Sequence, residues 1–178
     1  MVMKLKLLSL LAVTIFFFSC GKKKEESKVI TETPTQKTEL GIPTFNYEGL
    51  KPLLYKSDDK TYIINFWATW CKPCVEELPY FEKVGKEFQD KNVEVVLVSL
   101  DFPNQIESKL IPFIQEHKLE SEVVVLDDPK QNVWINAIDP SWSGSIPATI
   151  IYNKNQRAFY EQSFDEKSLI EELQKFIN

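Results

Sequence analysis

Three segments of the chain are almost continuously apolar and rich in β-branched residues: residues 61–66, 93–100 and 122–126. Strands that are covered on both faces have this pattern, because the side chains on both of their faces are buried. Residues 149–152 and 158–161 have the same character and flank a turn at residues 153–155, which predicts a β-hairpin.

Between these segments, apolar residues recur at spacings of three and four, which predicts amphipathic helices. The predicted helices are residues 74–90, residues 104–117, residues 131–137 and a last helix after residue 165. Proline lacks the N–H that an inner helical position needs, so we expect Pro79 to bend the first helix and Pro112 to kink the second. Asp165 is a good N-cap for the last helix.

The predicted elements alternate between strand and helix before they end in a hairpin and a final helix. This order predicts an α/β fold with a central mixed sheet that is flanked by helices on both faces. The folded part is expected at residues 43–178, about 135 residues, which is the usual size of a single domain.

The first nineteen residues have the features of a secretory signal. Lys4 and Lys6 precede an apolar run of about 12 residues that ends at Phe18. A spanning helix needs roughly 20 apolar residues, so this run is too short to cross a bilayer. A buried core helix is the alternative, but the run lacks polar residues at helical spacing. We therefore expect residues 1–19 to be a signal peptide.

Cys20 follows this segment in a stretch, Phe17-Phe18-Ser19-Cys20, that resembles a bacterial lipobox. The resemblance implies that a lipid is attached to Cys20, although Phe17 stands where leucine is usual. Lipidation would also account for a cysteine left over in an exported protein, for which the alternative is a plain cleaved signal. Residues 20–42 are otherwise polar and are expected to form a flexible tether in the cell envelope, with the domain in the periplasm. Whether the inner or the outer membrane holds the lipid stays open.

The charge of the chain excludes one class of partner. The formal net charge is −5, and no stripe of lysine or arginine suggests nucleic-acid binding. The glycine-rich signature of a dinucleotide site is also missing from the sequence, so we expect no cofactor.

Two cysteines lie close together in Trp70-Cys71-Lys72-Pro73-Cys74, after a predicted strand and at the start of a predicted helix. Residues three apart on a helix are neighbours, so the two sulfurs can form a disulfide. The positive end of the helix favours a thiolate at Cys71, which we expect to be the nucleophile, while Cys74 resolves the mixed disulfide. Pro73 suits the first helical turn.

Three other interpretations of the cysteine pair have weaker support. A structural disulfide across so short a loop would remove little entropy from the unfolded chain. A zinc site needs four ligands, but the domain offers two cysteines and the single His117, so we expect no metal. A cysteine hydrolase would need His117 beside Cys71.

The segment from Asn65 to Pro79 contains the run W-C-x-P-C-x-x-E-x-P and resembles the active-site segment of the TlpA/ResA-like branch of the thioredoxin superfamily. The resemblance implies a thioredoxin fold. It also implies that Pro147, in Gly144-Ser145-Ile146-Pro147, forms a cis peptide bond against the cysteine pair, and that the backbone of Ile146 pairs with substrate. By the same resemblance, the residues expected to contact substrate are Trp70, Lys72, Pro73, Ile146 and Pro147.

Glu77 matches an acidic residue of this family that is thought to assist proton movement at the cysteines. Classical thioredoxins have a buried aspartate at the position of Asn65, so Glu77 would have to supply the proton acceptor. A solvated glutamate near a helix N-terminus is an equal alternative. Trp142 could form a wall of a substrate groove, although a core position is the more common use of such an aromatic side chain.

The resemblance implies a membrane-tethered thiol–disulfide oxidoreductase that reduces disulfides in exported proteins, such as apocytochrome c or other respiratory-assembly substrates. Its partners would be protein thiol or disulfide substrates and a membrane electron donor of unknown identity. The absence of histidine between the cysteines favours reduction. A disulfide oxidase or isomerase and a non-catalytic tethered peptide-binding module are the alternatives. A peroxidase is weaker still, because residues 67–71 lack the proline-led setting of peroxiredoxin cysteines.

Overall fold

The computed structural model describes residues 36–37 and 41–177. The predicted signal peptide, Cys20 and most of the predicted tether lie outside the described residues. The strands are β1 Gln36–Lys37, β2 Pro43–Phe45, β3 Thr61–Trp67, β4 Val93–Ser99, β5 Glu122–Leu126, β6 Ala148–Tyr152 and β7 Arg157–Tyr160. The helices are α1 Tyr47–Leu54, α2 Lys72–Glu87, α3 Ile111–His117, α4 Gln131–Ile138 and α5 Glu166–Ile177. Within these residues, no helix is both long and apolar enough to span a bilayer.

The seven strands form one mixed sheet in the order β1-β2-β5-β4-β3-β6-β7. Strands β2, β5, β4 and β3 are parallel, while β1, β6 and β7 pair antiparallel with their neighbours. The strands predicted at residues 61–66, 93–100 and 122–126 and the hairpin are confirmed. Two residues of the predicted tether, Gln36–Lys37, pair with β2.

The side chains of β3 alternate between two apolar cores, one on each face of the sheet. Ile63 and Trp67 pack in the first core, beneath helices α2 and α5, whereas Tyr62, Ile64 and Phe66 pack in the second, beneath α1 and α4. The predicted arrangement, a central mixed sheet with helices on both faces, is therefore confirmed.

The helix predicted at residues 104–117 is three helical segments and not one kinked helix. A 3₁₀ turn at Pro103–Gln105 leads into a π-helical stretch at Ile106–Leu110 and then into α3. Pro112 explains the irregularity, because it cannot donate to the carbonyl four residues earlier and its ring crowds that carbonyl. Helix α2, in contrast, continues through Pro79.

The parallel strands place the chemistry of the molecule at one edge of the sheet. The carboxyl ends of β2, β3, β4 and β5 all point to this edge, and α2 begins there. Loops that leave the carboxyl ends of parallel strands commonly form ligand sites. The loop after β3 contains Cys71.

Candidate active site

Cys71 and Cys74 are joined by a disulfide at the N-terminus of α2, with their Cα atoms 5.3 Å apart. Cys71 is the N-cap of the helix, and its Sγ accepts a hydrogen bond from the backbone N–H of Cys74 at 3.3 Å. Cys71 is slightly exposed, at 6%, whereas Cys74 is 0% exposed. Pro73 lies in the first turn, as predicted.

The start of α2 favours a negative charge at Cys71. The first turn contains no acidic residue, so no carboxylate in that turn offsets the partial positive charge of its free N–H groups. A thiolate formed at Cys71 would receive the N–H of Cys74 directly and would also interact with the helix dipole. This environment lowers the pKa of a cysteine thiol.

Asp101 fixes the loop before Cys71. Its carboxylate accepts hydrogen bonds from the backbone N–H and the hydroxyl of Thr69, at 3.1 and 2.5 Å, and from the hydroxyl of Ser99 at 2.8 Å. Sequence reasoning missed this residue, which is 2% exposed. The available signal was its position just after a buried strand that runs parallel to β3.

The peptide bond between Ile146 and Pro147 is cis, which confirms the prediction. The carbonyl oxygen of Ile146 lies 3.7 Å from the Sγ of Cys71, so the loop before β6 contacts the reactive end of the disulfide. Glu161 holds this loop, because its carboxylate accepts the backbone N–H groups of Ser143 and Ser145 at 2.9 and 3.1 Å. The sequence contained no signal for that role of Glu161.

Glu77 is buried and is not the solvated glutamate of the alternative interpretation. It is 2% exposed and lies one turn beyond Cys74 on α2. Its carboxylate accepts hydrogen bonds from the Nδ2 of Asn65 and from the backbone N–H of Phe164, both at 2.8 Å. Burial raises the pKa of Glu77 to about 7, although these two hydrogen bonds lower it in part. The carboxyl can therefore accept or donate a proton near neutral pH.

Asn65 connects Glu77 to the sheet. Its Nδ2 also donates to the hydroxyl of Thr149 at 3.2 Å, while its Oδ1 is buried without a hydrogen-bond partner among the described residues. A neutral amide at this position leaves Glu77 as the one ionisable group of the cluster formed by Asn65, Glu77 and Thr149.

The residues expected to contact substrate have different accessibilities. Trp70, Lys72 and Pro73 are exposed around Cys71, Ile146 is half-buried, and Pro147 is buried. Trp142 is only 3% exposed and packs in the second core. It is therefore a core residue and does not form a wall of a substrate groove.

His117 does not support the hydrolase alternative. Its ring stacks on that of Phe113 at the end of α3, with 4.0 Å between the ring centroids. Among the described residues, it forms no hydrogen bond with either cysteine.

Residues 42–158 match the AhpC/TSA family, and this stretch includes the cysteine pair and Pro147. The chain belongs to the AhpC/TSA family. Two curated relatives match part of the chain. "Thioredoxin-like protein YneN" of Bacillus subtilis (strain 168) is 35% identical over 98 residues, which are 50% of this chain and 57% of the relative. "Thiol-disulfide oxidoreductase ResA" of Bacillus thuringiensis subsp. konkukian is 30% identical over 98 residues, which are 52% of this chain and 55% of the relative.

The AhpC/TSA chain thus spans a little over half the length of these curated relatives. The resemblance to the TlpA/ResA-like branch is nevertheless confirmed, because a second ResA, from Bacillus anthracis, matches 75% of this chain and 74% of the relative at 26% identity.

Solved structures confirm the thioredoxin fold. A thiol:disulfide interchange protein of the thioredoxin family from Chlorobium tepidum superposes with a TM-score of 0.58 at 19% identity, over 81% of this chain and 92% of that chain. A secreted disulfide oxidoreductase from Mycobacterium tuberculosis superposes with a TM-score of 0.56 at 17% identity, over 81% and 96%. At these identities the likeness establishes the fold alone.

Proposed function

We propose that this AhpC/TSA family member is a thiol–disulfide oxidoreductase that reduces disulfides in exported proteins. The observation that carries the proposal is the disulfide between Cys71 and Cys74 at the start of α2, with the Sγ of Cys71 beside the carbonyl of Ile146. The names of the ResA relatives support the same reaction.

The reaction has two exchange steps. In the reduced protein, the Cys71 thiolate attacks a substrate disulfide, forms a mixed disulfide and releases the second substrate sulfur as a thiolate. Cys74 then loses its proton and attacks the mixed disulfide, which forms the Cys71–Cys74 bond and releases the remaining substrate sulfur. The substrate gains two electrons and the cysteine pair loses two. Ile146, through its backbone, would align the substrate strand, while Trp70, Lys72, Pro73 and Pro147 surround the point of attack.

The residues between the cysteines support the reducing direction. A histidine beside Cys71 would stabilise the thiolate and make the pair oxidising, but Lys72 and Pro73 stand there. The electrons must then come from a dithiol donor in the membrane. Apocytochrome c and other proteins of respiratory assembly are the substrates that the resemblance to the ResA branch suggests.

The reduction potential of the cysteine pair tests this direction. Equilibration of the purified chain with dithiothreitol or glutathione buffers is expected to give a value nearer to thioredoxin's, about −270 mV, than to DsbA's, about −120 mV. Quantitative alkylation of the thiols, followed by mass spectrometry, measures the reduced fraction. As a control, Pro73→His should raise the potential, because an imidazolium beside Cys71 stabilises the reduced form. A potential near that of DsbA would establish an oxidase instead, and a pair that cannot be reduced would be structural.

The proposal also places the domain, residues 43–178, outside the cytoplasm on a lipid attached to Cys20. The short apolar run after Lys4 and Lys6 and the small residue before Cys20 support it. We expect Cys20→Ala to lose labelled fatty acid and to move from the membrane fraction to the soluble fraction of the cell. Cys71→Ser is the matched control, since it also removes one cysteine but should keep the label. Label that persists in Cys20→Ala would contradict lipidation at this residue.

A further inference from the structure

A groove opens beside the cysteine pair at the carboxyl edge of the sheet. It has a volume of about 390 Å³ and is lined by segments that follow β3, β4 and β5 and by the loop before β6. We call it the aromatic–acidic groove and define it by Trp70, Phe102, Asp127, Trp134 and Ile146.

The groove lies next to the reactive disulfide. Trp70 is the residue directly before Cys71, and the carbonyl oxygen of Ile146 lies 3.7 Å from the Sγ of Cys71. A polypeptide whose cysteine reaches Cys71 therefore has its neighbouring residues at the mouth of the groove. The groove is therefore placed to bind the residues next to the substrate cysteine.

The apolar part of the groove is exposed to solvent. Trp70 and Phe102 are 53% and 54% exposed, and their rings stack with 6.1 Å between the centroids. Large aromatic side chains at the surface are typical of positions that bind partners, because their burial removes much apolar area from water. Trp134, at the base of the groove, has its indole N–H bonded to the carbonyl of Asp128, so it presents only apolar surface.

The ionisable side chains that line the groove are all acidic. Asp127 is exposed and forms no ion pair with any cationic side chain in residues 41–177. Neither lysine nor arginine lines the groove. The carboxylate of the neighbouring Asp128 is already hydrogen-bonded within the protein, because it accepts the backbone N–H groups of Tyr47 and Lys130 at 3.1 and 2.9 Å. The carboxylate of Asp127 is thus available to a cation from outside.

We propose that the aromatic–acidic groove selects substrates in which the reacting cysteine is flanked by an apolar residue and then by lysine or arginine. The apolar side chain packs on Trp70 and Phe102, and the cation meets Asp127. This inference rests on the proposed function, because the groove acts only on a chain that exchanges disulfides with Cys71. Complementary charge at the rim of a contact mainly raises the rate of association and makes it sensitive to salt.

Two test peptides measure this preference. Each has one internal disulfide and a leucine beside the second cysteine, followed by lysine in one peptide and by glutamate in the other. The reduced full-length chain in detergent is mixed with each peptide, and alkylation of quenched samples gives the exchange rate. We expect the lysine peptide to react about fivefold faster at low salt, and the difference to vanish near 1 M salt, where the Debye length is about 3 Å.

Variants of Asp127 then assign the effect to the groove. Asp127→Asn is expected to bring the ratio of the two rates close to one, and Asp127→Lys to reverse it. Asp90→Asn is the matched control: Asp90 is an exposed aspartate beyond the opposite end of α2, and its loss should leave the ratio unchanged.

The outcomes separate this inference from the proposed function. Equal rates for the two peptides in every variant would overturn the preference and leave the oxidoreductase intact. Failure of the reduced chain to exchange with either peptide would overturn both. A dimer of the full chain that Asp127→Lys dissociates would assign the groove to a second copy of the chain instead of a substrate.

Discussion

Replacing Cys71 with serine is expected to abolish disulfide exchange, with a fall in rate of at least about a thousandfold. A serine hydroxyl stays protonated at neutral pH and does not form a disulfide, so the first step has no nucleophile. Cys74 cannot take over the role, because it is 0% exposed and a substrate disulfide cannot reach its sulfur. Reduction of a test peptide with an internal disulfide, followed by alkylation and mass spectrometry, measures the loss.

Cys74→Ser provides the matched variant for this experiment. It keeps the nucleophile Cys71 but removes the group that resolves the mixed disulfide, so a covalent complex between Cys71 and the substrate should accumulate. The complex is detected as a mass increase that dithiothreitol reverses. If Cys71→Ser formed the trapped complex and Cys74→Ser did not, the two roles would be exchanged.

The elements that the sequence predicted well are those with a strong local pattern. Strands β3 and β4 are almost continuously apolar, and the start of α2 is set by Pro73 and the N-cap Cys71. Strand β2 has three residues and α1 contains Pro52, so neither has a pattern long enough to predict. Their place in the fold comes from tertiary contacts, such as the pairing of β2 with β5.

The site was predictable in part for the same reason. The cysteine pair lies in one continuous motif, whereas Asp101 binds Thr69 from 32 positions away and Glu161 binds Ser143 from 18 positions away. The burial of Glu77 depends on Phe164, 87 positions away in the chain. Local spacing placed Glu77 near Cys74 but could not decide between a solvated and a buried carboxyl, because the covering residues come from α5 and the loop before it.

We propose that the burial of Glu77 gives it a function in the second exchange step. Cys74 is fully buried, so water does not reach its thiol to remove the proton. Glu77 lies one helical turn away and, with its pKa raised by burial to about 7, is partly ionised at neutral pH. We infer that the Glu77 carboxylate takes the Cys74 proton as Cys74 attacks the mixed disulfide, and returns it when the pair is reduced again.

Glu77→Gln is therefore expected to slow resolution of the mixed disulfide by about a hundredfold at pH 8, where the carboxylate of the native chain is ionised. In the native chain the resolution rate should rise as the pH increases through about 7, and this inflection should be absent from the variant. Quenched-flow alkylation of a preformed mixed disulfide measures the step alone. Glu76→Gln is the matched control, since Glu76 is the neighbouring glutamate on α2 but is exposed and paired with Lys72.

The same carboxyl makes stability depend on pH in a direction that can be worked out. The pKa of Glu77 rises from its usual 4.5 to about 7 on folding, so between these pH values the folded chain holds a proton that the unfolded chain has lost. The contribution to the free energy of unfolding is therefore complete below pH 4.5 and is lost as the pH rises through 7. Urea unfolding should show this loss in the native chain and in Glu76→Gln but not in Glu77→Gln. If Glu77→Gln kept the pH dependence of the native chain in both the resolution rate and the free energy of unfolding, another group would have to transfer the proton.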